Sequence, residues 1–224
     1  MTNINRYIDH TILKVDTTER NIIDLCTEAK KHQFHTVCVN PCYVPLAKQL
    51  LEKSSVKICT VVGFPLGATS TESKVFEAKN AIKNGADEID MVINIGFLRS
   101  KNYVAVLKDI NDVKTAIGKT PLKVIIEISE LSKNEIVKAC EICLDAKADF
   151  IKTSTGFASG GATLTAVKII KKTVKNQAKI KASGGIRDYE TAVKYINAGA
   201  DRIGTSSGVN IMQQQQEYSS TEKH

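Results

Sequence analysis

Polar and apolar positions along the chain follow a repeated scheme. A short aliphatic or β-branched run is followed by a turn, then by a longer stretch with apolar residues three and four apart. Thr36 to Asn40, Val56 to Phe64, Glu88 to Asn94 and Leu122 to Ile128 read as strands. So do the shorter runs around Asp9-His10-Thr11, Phe150-Ile151-Lys152, Lys179-Ile180-Lys181 and Arg202-Ile203-Gly204. Helices are predicted between them: Thr18-Glu19 to about Lys31, the stretch after Pro41 with Leu46, Leu50 and Leu51, and Thr71 to near Asn84. Others run from Asn102 to Ile117, from Ser132 onward, from Thr163 to Val174 and from Arg187 to Ala198. Ser132-Lys133-Asn134-Glu135 has the capping-box pattern, in which hydroxyl and carboxylate each satisfy a free backbone N–H.

One joint recurs. Gly85-Ala86-Asp87-Glu88-Ile89, Lys147-Ala148-Asp149-Phe150-Ile151 and Gly199-Ala200-Asp201-Arg202-Ile203 each pass from a helix end to a strand. About eight strands alternating with helices predict an α/β TIM (β/α)8 barrel, entered through a short N-terminal helix. A doubly wound open sheet is the rival, but the dinucleotide glycine fingerprint and the P-loop lysine motif are both missing. Residues 1–212 make a single catalytic domain in this reading, and residues 213–224, with Gln213 to Gln216, a mobile tail.

With 224 residues and 42% hydrophobic content, the chain can bury a substantial core. No apolar run approaches a membrane span and the N-terminus lacks a signal-peptide pattern, so a cytoplasmic protein without a membrane partner is expected. Six cysteines scattered through apolar stretches suit reduced core thiols. The net charge of +7 would suit an anionic partner, yet the lysines are spread over many helix faces and aromatics are 5% of the chain. That argues against nucleic acid and for a small phosphorylated molecule. A homodimer is compatible with the sequence, which does not fix the assembly.

Candidate chemistry begins at Lys152, an amine inside an apolar strand that ends in Thr153-Ser154-Thr155-Gly156. Burying an ammonium is costly, and a lysine that escapes by losing its proton is a nucleophile towards carbonyls. A lysine paired with a buried carboxylate, or one reaching water at the strand end, would look the same. Lys181 stands at the same end of the next strand, just before Gly184-Gly185, and two such lysines are expected to repel and lower each other's pKa. Asp90 falls near the corresponding end of its own strand, where a TIM barrel carries its site. It could shuttle protons or neutralise one of the lysines. Gly184, Gly185 and Gly204, with Ser206, Ser207 and Arg187, form two loops of the kind that bind phosphate at the last strands of a barrel. Thr155 and Gly156 are grouped with that binding set.

These residues carry a resemblance. Asp9-His10-Thr11, Val37-Cys38-Val39-Asn40-Pro41, Gly63-Phe64-Pro65-Leu66-Gly67, Asp87 to Asn94, Lys152 to Phe157 and Lys181 to Arg187 together look like the deoxyribose-phosphate aldolase family, in order and in spacing over nearly the whole chain. The resemblance implies a TIM barrel and a class I aldolase with no cofactor and no metal. It implies reversible cleavage of 2-deoxy-D-ribose 5-phosphate to D-glyceraldehyde 3-phosphate and acetaldehyde, in deoxyribose phosphate catabolism. It implies Lys152 as the Schiff-base lysine, Lys181 as the lysine that perturbs it and Asp90 as the proton-transfer acid. Departures are Val15 where proline is frequent, Ile128 where threonine is, and Phe157 where some members place a phosphate-binding lysine. Some members end in a tyrosine used in proton transfer, and Tyr218 is the nearest equivalent.

Cys140 and Cys143 have metal-like spacing but fall on a helical pattern among apolar residues, where core thiols are expected. His32 and His35 are read as surface or partly buried residues rather than ligands, and His10 as either a structural hydrogen-bonding residue or a site residue. Another phosphosugar barrel enzyme is the main competing function. The paired strand lysines with Asp90 favour imine chemistry over enediol chemistry.

Overall fold

The apolar runs become eight strands: β1 Ile8–Ile12, β2 Thr36–Val39, β3 Lys57–Val62, β4 Glu88–Val92, β5 Leu122–Ile125, β6 Phe150–Lys152, β7 Lys179–Ser183 and β8 Arg202–Thr205. In the computed structural model, which describes residues 3–221, each strand pairs in parallel with the next and β8 pairs with β1, closing a barrel in chain order. The TIM-barrel reading therefore holds and the open sheet does not. A 3-10 turn, Ile4–Tyr7, is the short lead-in helix.

The helices are α1 Glu19–His32, α2 Val44–Leu50, α3 Thr71–Lys83, α4 Ile95–Arg99, α5 Tyr103–Ile117, α6 Lys133–Asp145, α7 Leu164–Val174, α8 Tyr189–Asn197 and α9 Gly208–Thr221. Ser132 and Glu135 form the expected capping box, and Thr18 forms another with Asn21. Asn102, Thr163 and Asp188 are N-caps rather than first helical residues. The short α4 was not expected; its N-cap Asn94, read as strand, accepts from Phe97 N. The stretch from Gln213, expected as a mobile tail, continues α9, where Gln214 Oε1 accepts from Tyr189 N at 2.8 Å. Residues 222–224 of that tail lie outside the described residues.

The recurrent joint has a physical cause. Gly85, Lys147 and Gly199 take positive φ and end their helices. Two residues later, Asp87, Asp149 and Asp201 each accept through Oδ2 from the backbone N–H of Ile58, Leu122 and Ile180, at 2.9, 2.8 and 2.9 Å. Each aspartate thus pins the start of its own strand to the start of the preceding one.

Strand positions alternate in character across the sheet. Outward residues such as Ile8, Val37, Ile89, Val124, Ile151, Ile180 and Ile203 are apolar and buried with the helices in one core. Inward positions carry a small separate apolar group, Leu13, Cys38, Cys59 and Val61, and otherwise polar or charged side chains. TIM barrels ordinarily fill this space with branched aliphatics. Here Asp9, Glu88, Asp90, Lys123, Lys152, Lys181 and Arg202 fill it, all buried.

Candidate active site

Register brings the charged inward residues together. Lys152 of β6 lies directly across from Lys181 of β7, and Asp90 of β4 directly across from Lys123 of β5. Lys152 Nζ and Lys181 Nζ both donate to Asp90 Oδ2, each at 2.8 Å. Lys123 Nζ donates to the other oxygen, Oδ1, at 2.9 Å. Lys181 also pairs with Asp9 at 2.6 Å and Lys123 with Glu88 at 2.6 Å. Arg202 joins Asp9 and Glu88 at 2.7 and 3.1 Å. Lys123, Lys181 and Arg202 therefore each hold two carboxylates, while Lys152 holds one. Four cations face three carboxylates, so the connected set carries one positive charge more than it can pair when all groups are ionised.

Burial alone would raise Asp90 into the neutral form, but Lys123, Lys152 and Lys181 outweigh it and hold the carboxyl well below the usual range. Asp9 and Glu88 are likewise held low against their burial, Asp9 by Lys181, Lys123 and Arg202, Glu88 by His35, Lys123 and Arg202. The expectation that Lys181 is lowered by its neighbouring lysine is overturned. Burial pushes it down, yet Asp9 and Asp90 prevail and hold it well above its ordinary value. Lys123 is raised too, against burial, by Asp90 above all. Both are fixed cations. At the closed end of the barrel, the Phe150 ring has Lys123, Lys179 and Arg202 at 5.8, 5.7 and 5.6 Å from its centroid, an apolar floor under the charges.

A cavity of about 380 Å³ opens at the C-terminal ends of β6, β7 and β8. Lys152 lines it, whereas Asp90 and Lys181 are wholly buried beneath. Thr155, Gly156, Gly184, Gly185, Arg187, Gly204 and Ser206 of the expected binding set line it as well. Ser207 does not. Its N–H donates to Thr205 Oγ1 at 2.9 Å and its carbonyl accepts from Ile211 at the start of α9. Gly204 has a different use from phosphate binding: a Cβ there would lie 3.0 Å from Lys181 Cε and 2.9 Å from Ser183 Cβ. The missing side chain is what makes room for Lys181. Gly184, at φ +91°, approaches Gly161 so closely that a Cβ would meet its Cα at 2.8 Å, which locks the β6 and β7 loops together.

Lys14 lines the same cavity, near Arg187 and Ser206, and was not foreseen as a site residue. Phe157 also lines it, half-exposed, with its ring 5.2 Å from Phe64 in an edge-on contact. Glu127 sits behind, at φ +53°, and accepts from both the N–H and the hydroxyl of Thr155, the former at 3.1 Å. It fixes the loop that follows Lys152. A neighbouring cleft of about 500 Å³ between β1 and α1 shares Lys14 and Ser206 but is walled by Asp16, Asp24 and Glu28, which would repel an anion. There His10 Nε2 meets Glu28 at 2.7 Å, the structural one of the two roles left open for it.

Asp90, Lys152 and Lys181 were legible in the sequence; Lys123, Glu88, Arg202 and the role of Asp9 were not. For Glu88 and Asp9 the signal was the period-two placement of charged and polar residues among apolar ones, visible in Glu88/Asp90 and Asp9/Thr11 once the inward face is known. Cys140 and Cys143 lie in the core on α6, burial pushing Cys140 up to about 12 and Cys143 well above the ordinary thiol range. Among the described residues, Cys38, Cys59 and Asp90 are close enough to share a metal ion. Both oxygens of Asp90 are already held by ammonium groups, however, so a cation there would have to displace them. The arrangement presents the amine of Lys152 to the cavity, with a carboxylate and a second ammonium within hydrogen-bond reach to move protons.

Comparison with known proteins agrees with this geometry. Residues 4–214 match the profile described as DeoC/LacD family aldolase. The chain is 56% identical over 216 residues to the deoxyribose-phosphate aldolase of Carboxydothermus hydrogenoformans, covering 95% of each. It superimposes on the solved structure of QR15, an aldolase, with a TM-score of 0.94 at 44% identity, covering 98% of both chains. A tetrameric deoxyribose phosphate aldolase from Aeropyrum pernix is similar at a TM-score of 0.87 and 32% identity, covering 96% of this chain and 92% of that one.

Proposed function

The chain belongs to the DeoC/LacD family of aldolases, carbon–carbon lyases, and on that premise we propose that it reversibly cleaves 2-deoxy-D-ribose 5-phosphate through a Schiff base on Lys152. The products are D-glyceraldehyde 3-phosphate and acetaldehyde, which places the reaction in the breakdown of deoxyribose phosphate. No helix among the described residues is long and apolar enough to cross a membrane, and the reaction is assigned to the cytoplasm.

The observation that carries this reading is the imbalance of the buried charges. Removing one proton from the connected set leaves three cations against three carboxylates. Lys152 stands apart in that set, with one carboxylate partner where each of the other three cations has two. It is also the member of the set that reaches the cavity. Lys181 perturbs it by adding a fixed positive charge and by sharing Asp90 Oδ2.

The neutral amine attacks the C1 aldehyde of the open-chain sugar, and loss of water gives a protonated imine. Removal of the C3 hydroxyl proton, through Asp90 and a water, breaks the C2–C3 bond. Its electron pair passes into the imine to form an enamine, and C3 becomes the aldehyde of glyceraldehyde 3-phosphate. Protonation of the enamine carbon and hydrolysis release acetaldehyde and regenerate Lys152. Because Oδ2 touches both Lys152 and Lys181, protons can move between them without leaving the interior. The phosphate is held by backbone N–H groups of Gly184 and Gly185, by Ser206 and by Arg187, with Thr155 and Gly156 bounding the sugar. The direct test is acetaldehyde release from deoxyribose 5-phosphate, with and without a chelator. Release insensitive to chelator supports the reading; no release by the native chain overturns it.

A further inference from the structure

We propose that Cys59 is a positioning residue for this reaction, its thiol fixing the orientation in which Asp90 presents Oδ2 to Lys152 and Lys181; the inference rests on the function proposed above. Cys59 Sγ lies 3.0 Å from Asp90 Oδ1, and Lys123 Nζ donates to the same sulfur at 3.3 Å. Both residues are fully buried, Cys59 at an inward position of β3. The two oxygens of Asp90 thus have separate duties. Oδ2 serves the two amines nearest the cavity, and Oδ1 is anchored from behind by Lys123 and the thiol. The thiol is the neutral donor among four, so it satisfies a carboxylate lone pair without adding positive charge to an interior already in excess of it. Burial, Cys38 and the adjacent carboxylate push the Cys59 thiol well above its ordinary range, which keeps it an S–H donor.

The groups that face Asp90 are Lys123 from β5, Lys152 from β6, Lys181 from β7, Cys59 from β3, Cys38 from β2, Asp9 from β1 and Glu88 on its own strand. Without the thiol, Asp90 has one fewer donor, and more of its negative charge falls on the amines. Imine formation at a given pH then slows. Hydrogen bonds to charged groups of this kind correspond to about tenfold in rate.

The test is the rate of borohydride trapping of acetaldehyde as a function of pH, with kcat and KM for deoxyribose 5-phosphate, in Cys59→Ala, Cys59→Ser and Cys140→Ala. Cys140 is the control: it is equally buried but belongs to the core between sheet and helices, on α6. Cys59→Ala should lower kcat about tenfold with KM unchanged and move the acid limb of the trapping profile to higher pH. Cys59→Ser, which keeps a donor, should recover most of the loss, and Cys140→Ala should keep the native profile. The inference is overturned if the Cys59→Ala profile superimposes on the native one, if serine is no better than alanine, or if Cys140→Ala moves the profile as far. Failure of the native chain to be trapped at all would instead sink the proposed function.

Discussion

Lys152 and Lys181, directly opposite each other on β6 and β7, donate to one and the same oxygen, Oδ2 of Asp90, each at 2.8 Å. Two ammonium groups on one oxygen repel each other, and the carboxylate can fully balance only one of them. Lys181 has Asp9 as a second partner and Lys152 has none, so relief falls on Lys152. The first prediction follows from removing the fixed charge. In Lys181→Leu, Asp90 is left to Lys152 and Lys123, and the fixed cation beside the amine is gone. Imine trapping at pH 7 should fall about 100-fold and recover in part at higher pH. Unchanged trapping at pH 7 would show that Lys181 does not govern the amine.

Asp90→Asn removes the hub of the set while keeping its shape. Lys123 retains Glu88 and Lys181 retains Asp9, but the buried excess rises from one positive charge to two. Loss of a buried ionic partner of this kind costs about 3 kcal/mol or more. A clear fall in melting temperature should accompany a loss of kcat of about 1000-fold, since proton transfer loses its carrier. A variant that keeps native kcat would remove Asp90 from the chemistry.

Gly204→Ala tests the space beside Lys181. The new methyl group would meet Lys181 Cε and Ser183 Cβ at 3.0 and 2.9 Å. Overpacking of this size costs about 1–3 kcal/mol. Activity should suffer more than stability, because the displaced side chain shares Asp90 Oδ2 with Lys152. A variant with native kcat and lowered melting temperature would show that the amine tolerates the shift.

Stability should depend on pH in two steps. Burial drives the folded His10 below its ordinary 6.5 despite Glu28, so the fold favours the neutral ring. The stability this confers is present above about pH 6.5 and declines as the pH falls through the folded value. Asp9, Asp90 and Glu88 are held below their ordinary 3.8, 3.8 and 4.5, so their contribution is present above about pH 4.5 and lost on further acidification. Lys123 and Lys181 are held above 10.5, and their contribution is complete below that pH. Melting temperature should be level from about pH 7 to 9 and fall in acid, with His10→Gln erasing the upper step. A curve level down to about pH 5 would contradict the His10 step, and one level down to about pH 2 the assignment of buried, paired carboxylates.

Phosphate recognition is tested at the cavity rim. Phe157 offers no charge there, whereas the cations Lys14 and Arg187 line the same cavity. Lys14→Met should raise KM for deoxyribose 5-phosphate about tenfold and leave activity on unphosphorylated deoxyribose unaltered. Phe157→Lys should lower the phosphate-dependent KM. Equal effects on both substrates would mean that Lys14 acts on the sugar or on the fold.

The alternation of strands and helices, the helix caps and the repeated Gly-Ala-Asp joint were readable because each is a local pattern. Lys152 and Lys181 stood out as amines at equivalent ends of two strands, and Asp90 as an acid in a third. Lys123 was hidden because its strand was read from Leu122 through Ile128 with Glu127 as the acid in it, whereas β5 stops at Ile125 and Glu127 turns left-handed. Asp9 and Arg202 are 193 positions apart and meet only because β8 closes against β1. No local pattern announces such a pair. The same holds for the direction of the Lys181 shift: two neighbouring lysines predict repulsion, and only the positions of Asp9 and Asp90 reverse it.

The most direct measurement is to treat the protein with acetaldehyde and borohydride at neutral pH and map the reduced adduct by mass spectrometry. The buried charge balance predicts a single ethyl group on Lys152, with Lys123 and Lys181 unmodified. An adduct on Lys181 or Lys123, or none on any of the three, would contradict it.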